Sequence, residues 1–194
     1  MNTLIHAVTD CGDLAILLPV ACVLTLWAAL IGKHGILKGW LAALALCIGG
    51  TAILKIYFFA CPPFSDLHSP SGHTSLSTLV YGTLTFVAAR TLADWRRWLV
   101  VLAGTSFIAC IAISRIIVQA HSIPEVLLGS VLGLAALLLF AAAYLRDTPT
   151  KAYLVPLMTV SAMLVILLNG HELRAEEFLH RIATYLNIAS NCSA

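Results

Sequence analysis

Long apolar runs separated by short polar joints dominate the chain. A helix that crosses the hydrocarbon core of a bilayer needs about 20 apolar residues. Six stretches approach that length: roughly Asp13 to Ile31, Gly39 to Phe59, Ser75 to Ala89, Trp98 to Val118, Val126 to Leu145 and Ala152 to Leu168. None alternates with a two-residue period, which argues against a transmembrane barrel. The third stretch is broken by Thr83, Thr85 and several serines, so it is expected to face protein more than lipid. The first has no basic n-region, exceeds a signal-peptide core in length and carries Asp10 and Asp13 at its start, so it reads as a retained span. The expected fold class is all-α: a polytopic membrane protein with six transmembrane helices, forming a single domain over residues 1–194. After Gly170, the residues Leu173, Phe178, Leu179, Ile182 and Leu186 recur at helical spacing among polar neighbours. They predict a short C-terminal amphipathic helix over about residues 171–188, lying on the outer surface or packed as a tail on the bundle.

Composition sharpens this picture. Of 194 residues, 60% are hydrophobic and 10% charged, with a mean hydropathy of +0.96. Soluble domains carry about 25% charged residues, so a soluble enzyme, a nucleic-acid binder and a disordered chain are excluded. The six cysteines match neither a disulfide framework nor a zinc site. Cys22, Cys47 and Cys110 read as small apolar helix residues, whereas Cys11, Cys61 and Cys192 fall on one side and leave room for one bridge.

The formal net charge of +2 matters less than its distribution. The joints after the first, third and fifth stretches carry Lys33, Lys38, Arg90, Arg96, Arg97, Arg146 and Lys151, against Lys55, Arg115, Arg174 and Arg181 on the other side. The excess places the first group in the cytoplasm. Trp27, Trp40, Trp95 and Trp98 lie near the same face, as interfacial anchors do. Both termini are then extracytoplasmic, and the expected location is a bacterial cytoplasmic (inner) membrane.

Two charges sit inside apolar sequence: Lys55 in Ile53–Phe59 and Arg115 in Ile113–Val118. An ionised group at such a position costs a few kcal/mol and usually has a function or a partner; snorkelling toward the interface is the alternative. Both residues fall at the outer ends of even-numbered stretches, so they can converge. Two polar clusters open the next helices on that face, Pro70-Ser71-Gly72-His73 and His121-Ser122-Ile123-Pro124-Glu125. Helix N-termini present unpaired N–H groups and a partial positive charge, and Gly72 lets an anion approach the backbone. Two cations, two histidines and two helix N-termini describe an oxyanion pocket with an acid/base pair, and phosphate is the obvious occupant. Each part has a plainer reading as well. A lone histidine is often just a satisfied polar residue, Ser122 to Glu125 fits an S-x-x-E capping box with proline in its first turn, and Gly129 and Gly133 form a small-xxx-small packing face.

In the order and identity of these residues the chain resembles the type 2 phosphatidic acid phosphatase family of membrane lipid phosphate phosphatases, whose motifs are K-x6-R-P, P-S-G-H and S-R-x5-H-x3-D. The second motif is intact at Pro70 to His73; the third reads Ser114-Arg115, then His121, then Glu125 in place of aspartate; the first reads Lys55, then Pro62-Pro63 in place of Arg-Pro. The resemblance implies a catalytic core over about residues 39–145 with His121 as nucleophile and His73 as proton donor. It implies that Lys55, Ser71, Gly72 and Arg115 hold the phosphate oxygens and that Glu125 orients His121. It implies no metal and no cofactor. The missing arginine at Pro62 removes a transition-state donor, a loss typically of about 10²- to 10³-fold in rate. His68, or Arg174 or Arg181 from the C-terminal helix, is expected to supply that charge.

The leading function is hydrolysis of a phosphomonoester or pyrophosphate of a lipid at the outer face, through a phosphohistidine. Undecaprenyl pyrophosphate, phosphatidate, phosphatidylglycerol phosphate and a lipid A phosphate all fit. The expected partners are that lipid phosphate and the membrane lipids, with no nucleic acid; oligomeric state is not visible. A lipid phosphotransferase using the same intermediate, a catalytically impaired lipid-phosphate-binding protein and a small transporter are the competing classes. The transporter requires charges near the midplane and broken helices in symmetric halves, whereas the charges here gather at one face.

Overall fold

A computed structural model of the chain describes residues 2–60, 69–148 and 151–171, and the secondary structure among these is helical throughout. The elements are α1 (Asn2–Asp10), α2 (Leu14–Leu30), α3 (His34–Ala60), α4 (Gly72–Thr91), α5 (Asp94–Ile117), α6 (Ile123–Tyr144) and α7 (Leu154–Leu168). Each of the six apolar stretches corresponds to one helix, α2 to α7. Helix α1 was not expected; it precedes a 43° bend at Cys11–Asp13 and runs into α2.

By length and composition, α3, α5 and α6 are able to cross a membrane, and the bent pair α1–α2 makes a fourth if it counts as one span. Helix α7 is apolar but has only 15 residues. Helix α4 is long enough at 20 residues but too polar, because it carries hydroxyls where its neighbours carry leucine. It is also the most enclosed element, with Thr74, Ser75, Ser77, Thr78 and Thr83 all buried. Several of these hydroxyls return to the helix backbone: Thr78 Oγ1 donates to the Thr74 carbonyl at 2.7 Å and Ser75 Oγ to that of Gly72 at 3.1 Å. Such back-bonding satisfies a polar side chain that water cannot reach.

Helix α4 packs against α5 and α6, and α3 packs against α6. The α4–α6 crossing depends on Gly129 and Gly133. A Cβ on Gly129 would collide with the carbonyl oxygen of Ser71, and one on Gly133 with that of Ser75. The small-residue face is therefore a packing device, and it presses α6 directly against the first turn of α4. Ile16, Leu17, Leu24, Trp40, Leu79, Phe140 and Tyr144 form the centre of the apolar core. Aromatic pairs such as Trp40–Phe140 meet there edge to face at 5.9 Å.

Successive helices from α2 onward run in alternating directions, which gathers the joints at two ends. At one end Lys33 pairs with Asp147 at 3.7 Å and donates to the Thr148 carbonyl at 2.6 Å, while Trp27 Nε1 donates to the Ala152 carbonyl at 3.1 Å. The other end carries the polar motifs. The predicted C-terminal amphipathic helix over 171–188 lies outside the described residues beyond His171, as do Cys61 and Cys192. Cys11 has a free thiol that donates to the Ala7 carbonyl at 3.2 Å.

Candidate functional site: two histidines at the motif end of the bundle

The tetrapeptide Pro70-Ser71-Gly72-His73 makes the N-terminus of α4. Ser71 is the N-cap in an extended conformation, and its Oγ accepts from the Thr74 amide at 3.4 Å and from the Thr74 hydroxyl at 3.0 Å. A serine at this position is the expected cap, because its oxygen takes up one of the amides the first turn leaves without a partner. Gly72 opens the helix beside Lys55, and a Cβ there would stand 3.6 Å from Lys55 Cε. Lys55 is 2% exposed, so its aliphatic stem is buried along α3 and its ammonium is delivered to the first turn of α4.

The third motif forms the joint between α5 and α6. Helix α5 ends at Ile117, and Gln119 takes a left-handed φ of 56° that reverses the chain. The amides of Ala120 and His121 both donate to the Arg115 carbonyl, at 3.1 and 3.3 Å. The five residues between Arg115 and His121 are thus one closed turn, and its length fixes where the imidazole emerges. His121 is buried at 8% exposure, and its Nδ1 lies 2.9 Å from Glu125 Oε2.

Glu125 does more than one task. Its Oε2 also accepts from the Ser122 amide at 3.0 Å, which completes a capping box at the start of α6 with proline in the first turn. Its Oε1 accepts from the Ser69 amide at 2.9 Å, and its carbonyl accepts from the Ser71 amide at 3.1 Å. The capping and orienting readings of this residue therefore coexist on one carboxylate. The glutamate spans from its own helix start to the turn before α4, so it also locks the two motif segments together. As a carboxylate already accepting two backbone N–H groups, it acts as an acceptor toward His121 as well. The proton of the neutral imidazole then sits on Nδ1 and the lone pair on Nε2.

The second histidine has a partner that the motifs do not contain. His73 Nε2 is 3.4 Å from Oδ2 of Asp13, the N-cap of α2, whose Oδ1 accepts from the Ala15 amide at 2.8 Å. In the sequence Asp13 counted only against a signal peptide. The available signal was an acidic residue opening an apolar run at the same end as both histidines. Of the three candidate replacements for the missing arginine, none is among the described residues: His68, Arg174 and Arg181 lie outside them, as does Pro62. Among the described residues no group of three or more His, Cys, Asp or Glu side chains is placed to ligate a metal ion. An apolar crevice of about 430 Å³ runs between α4, α5 and α6, with Ile116 and Ile123 toward the motif end and Thr105 and Leu134 deeper in the bundle.

Comparison with known proteins agrees with this arrangement. A profile of the PAP2 superfamily matches residues 36–149, from the start of α3 past the end of α6. An uncharacterised 22.5 kDa protein in the cps region of Klebsiella pneumoniae is 26% identical over 182 residues, covering 89% of this chain and 87% of that one. No solved structure matches the chain. Since the match takes in more than half of the chain and every helix that carries a motif residue, this chain belongs to the PAP2 superfamily.

Proposed function

We propose that this chain is an integral membrane lipid phosphatase that hydrolyses a phosphomonoester or pyrophosphate of a lipid through a phosphohistidine. Members of its superfamily are typically phosphatases acting on phosphate esters, and its apolar helices make it a membrane protein. The proposal adds the lipid, the intermediate and the residues. It also adds the topology: six crossings, with the motif end and both termini extracytoplasmic in a bacterial inner membrane.

The observation that carries the reading is the buried His121–Glu125 pair, held at 2.9 Å beside the N-terminus of α4. With its proton on Nδ1 donated to Glu125, His121 presents the Nε2 lone pair to phosphorus. As the N–P bond forms, the P–O bond to the lipid breaks and its electron pair leaves on the lipid oxygen, which takes a proton from His73. Water then gives a proton to His73 while its oxygen displaces Nε2, and inorganic phosphate departs. Lys55, Ser71, Arg115 and the amides at Gly72 and His73 are assigned to the equatorial oxygens, where transition-state charge is spread. The crevice between α4, α5 and α6 supports a lipid, because its apolar walls reach within two residues of His121 at Ile123 and suit an acyl or prenyl tail.

The test is phosphate release by detergent-purified protein from a panel of lipid phosphates and pyrophosphates, beside His121→Ala. Release from at least one lipid, lost in the variant, is the expected result. Equal release by the variant, or none from any lipid by the wild type, rejects the reading.

A further inference from the structure

The break between α1 and α2 is held in place from several sides. Tyr81 on α4 donates its hydroxyl to the Cys11 carbonyl at 2.6 Å, and Thr9 Oγ1 donates to Ser114 Oγ at 2.7 Å. Ser114 passes its own hydrogen to the Ile111 carbonyl at 2.7 Å and is the residue before Arg115. Asn169, just past α7, donates to the Ala7 carbonyl at 2.9 Å. Gly12 permits the close approach: a Cβ there would collide with Ile111 and stand 3.3 Å from the Cβ of His73. Contacts from α4, α5 and the end of α7 thus press the turn against His73. The result is a buried carboxylate, Asp13 at 4% exposure, on the Nε2 side of that imidazole. The whole segment precedes residue 36, where the superfamily match begins.

We infer that Asp13 is a positioning residue for the proton-donating step, resting on the phosphatase reading of the site. Its carboxylate holds a proton on His73 Nε2 and favours the imidazolium, which leaves Nδ1 as the nitrogen that faces the leaving lipid oxygen. When the P–O bond breaks, that oxygen takes the Nδ1 proton together with the electron pair of the bond. His73 becomes neutral imidazole with Nε2–H still donated to Asp13. The water of the second half-reaction returns a proton to Nδ1. Asp13 touches neither substrate nor phosphorus; it acts through the histidine. A general acid contributes about 10²- to 10⁴-fold where the leaving group needs a proton, and much less where the leaving group is already a good one.

The discriminating variant is Asp13→Asn, because asparagine caps a helix as well as aspartate does and removes only the charge. Full-length variant and wild-type protein are compared on a lipid alkyl phosphate, a poor leaving group, and on p-nitrophenyl phosphate, a good one. The expected result is a drop in kcat of about 10- to 100-fold on the alkyl phosphate and several-fold at most on the aryl phosphate. In parallel, ¹⁵N NMR of histidine-labelled protein at neutral pH is expected to move the His73 ring signals toward neutral imidazole in the variant. Equal losses on both substrates would mark Asp13 as structural, and His73 signals identical in the two proteins would overturn the coupling. If the wild type releases phosphate from neither substrate yet the His73 signals shift, the Asp13–His73 coupling stands and the phosphatase reading falls. Wild-type activity unaltered by Asp13→Asn on either substrate has the opposite meaning.

Discussion

The two histidines stand at the same end of the bundle but are held in different ways. His121 and Glu125 lie four residues apart across the start of α6, 2.9 Å from each other, within a segment whose turn and cap are all local. His73 is paired with Asp13 at 3.4 Å, sixty residues earlier in the chain, and that contact exists only because α1, α4, α5 and α7 converge on the bend before α2. On the proposed mechanism, local wiring suits His121, whose tautomer must be fixed for nucleophilic attack. The long-range pair joins His73, the proposed proton donor, to the packing of the whole bundle, so the two histidines should respond to different perturbations.

Removing the proposed nucleophile should give the largest effect in this comparison. His121→Ala should reduce phosphate release by about 10³-fold or more, and acid-quenched protein should lose labelled phosphohistidine. Glu125→Gln comes next. It retains the shape of the pair but no longer fixes the His121 proton on Nδ1, an error that costs about 10⁴-fold in a comparable triad; steady-state kcat measures it. Asp13→Asn follows, with a loss of about 10- to 100-fold on poor leaving groups and several-fold at most on good ones. Gly129→Ala tests the seam between the two regions. The added methyl meets the Ser71 carbonyl, and overpacking of this kind costs about 1 to 3 kcal/mol. A lower Tm and a loss of activity on good and poor leaving groups alike are expected. Thr9→Val should be smallest. It removes one buried hydrogen bond beside Ser114, worth about 1 kcal/mol, and should lower Tm slightly while preserving the ratio of rates on the two substrates. A ratio that changed instead would mean the anchor itself tunes His73.

Much of the helical layout was legible because the periods and lengths involved are local properties. Runs of apolar residues long enough to bury a whole helix appear as uninterrupted hydrophobic stretches, and α2 to α7 sit on them. The threonines and serines that break the third stretch already set α4 apart as an inner helix, and Thr83 is fully buried there. Helix α1 was missed because its nine residues mix polar and apolar side chains and are too few to register as a run. The bend after it is defined by what it packs against.

The same division applies to the site. The chain by itself determined the two histidines, the lysine and arginine in apolar surroundings, the serine cap, and the spacing that brings Glu125 to His121, because each is a matter of one or two helical turns. Whether Glu125 capped a helix or oriented a histidine was undecided at that level. The answer, both, depended on α6 being pressed against α4 through Gly129 and Gly133 so that one carboxylate reaches Ser69, Ser122 and His121 together. Only the tertiary structure decided the partner of His73. An aspartate at the start of an apolar run has no local reason to meet a histidine sixty residues away; it is brought there by the burial of several helices at once, and such burial is a property of the assembled bundle rather than of any stretch of it.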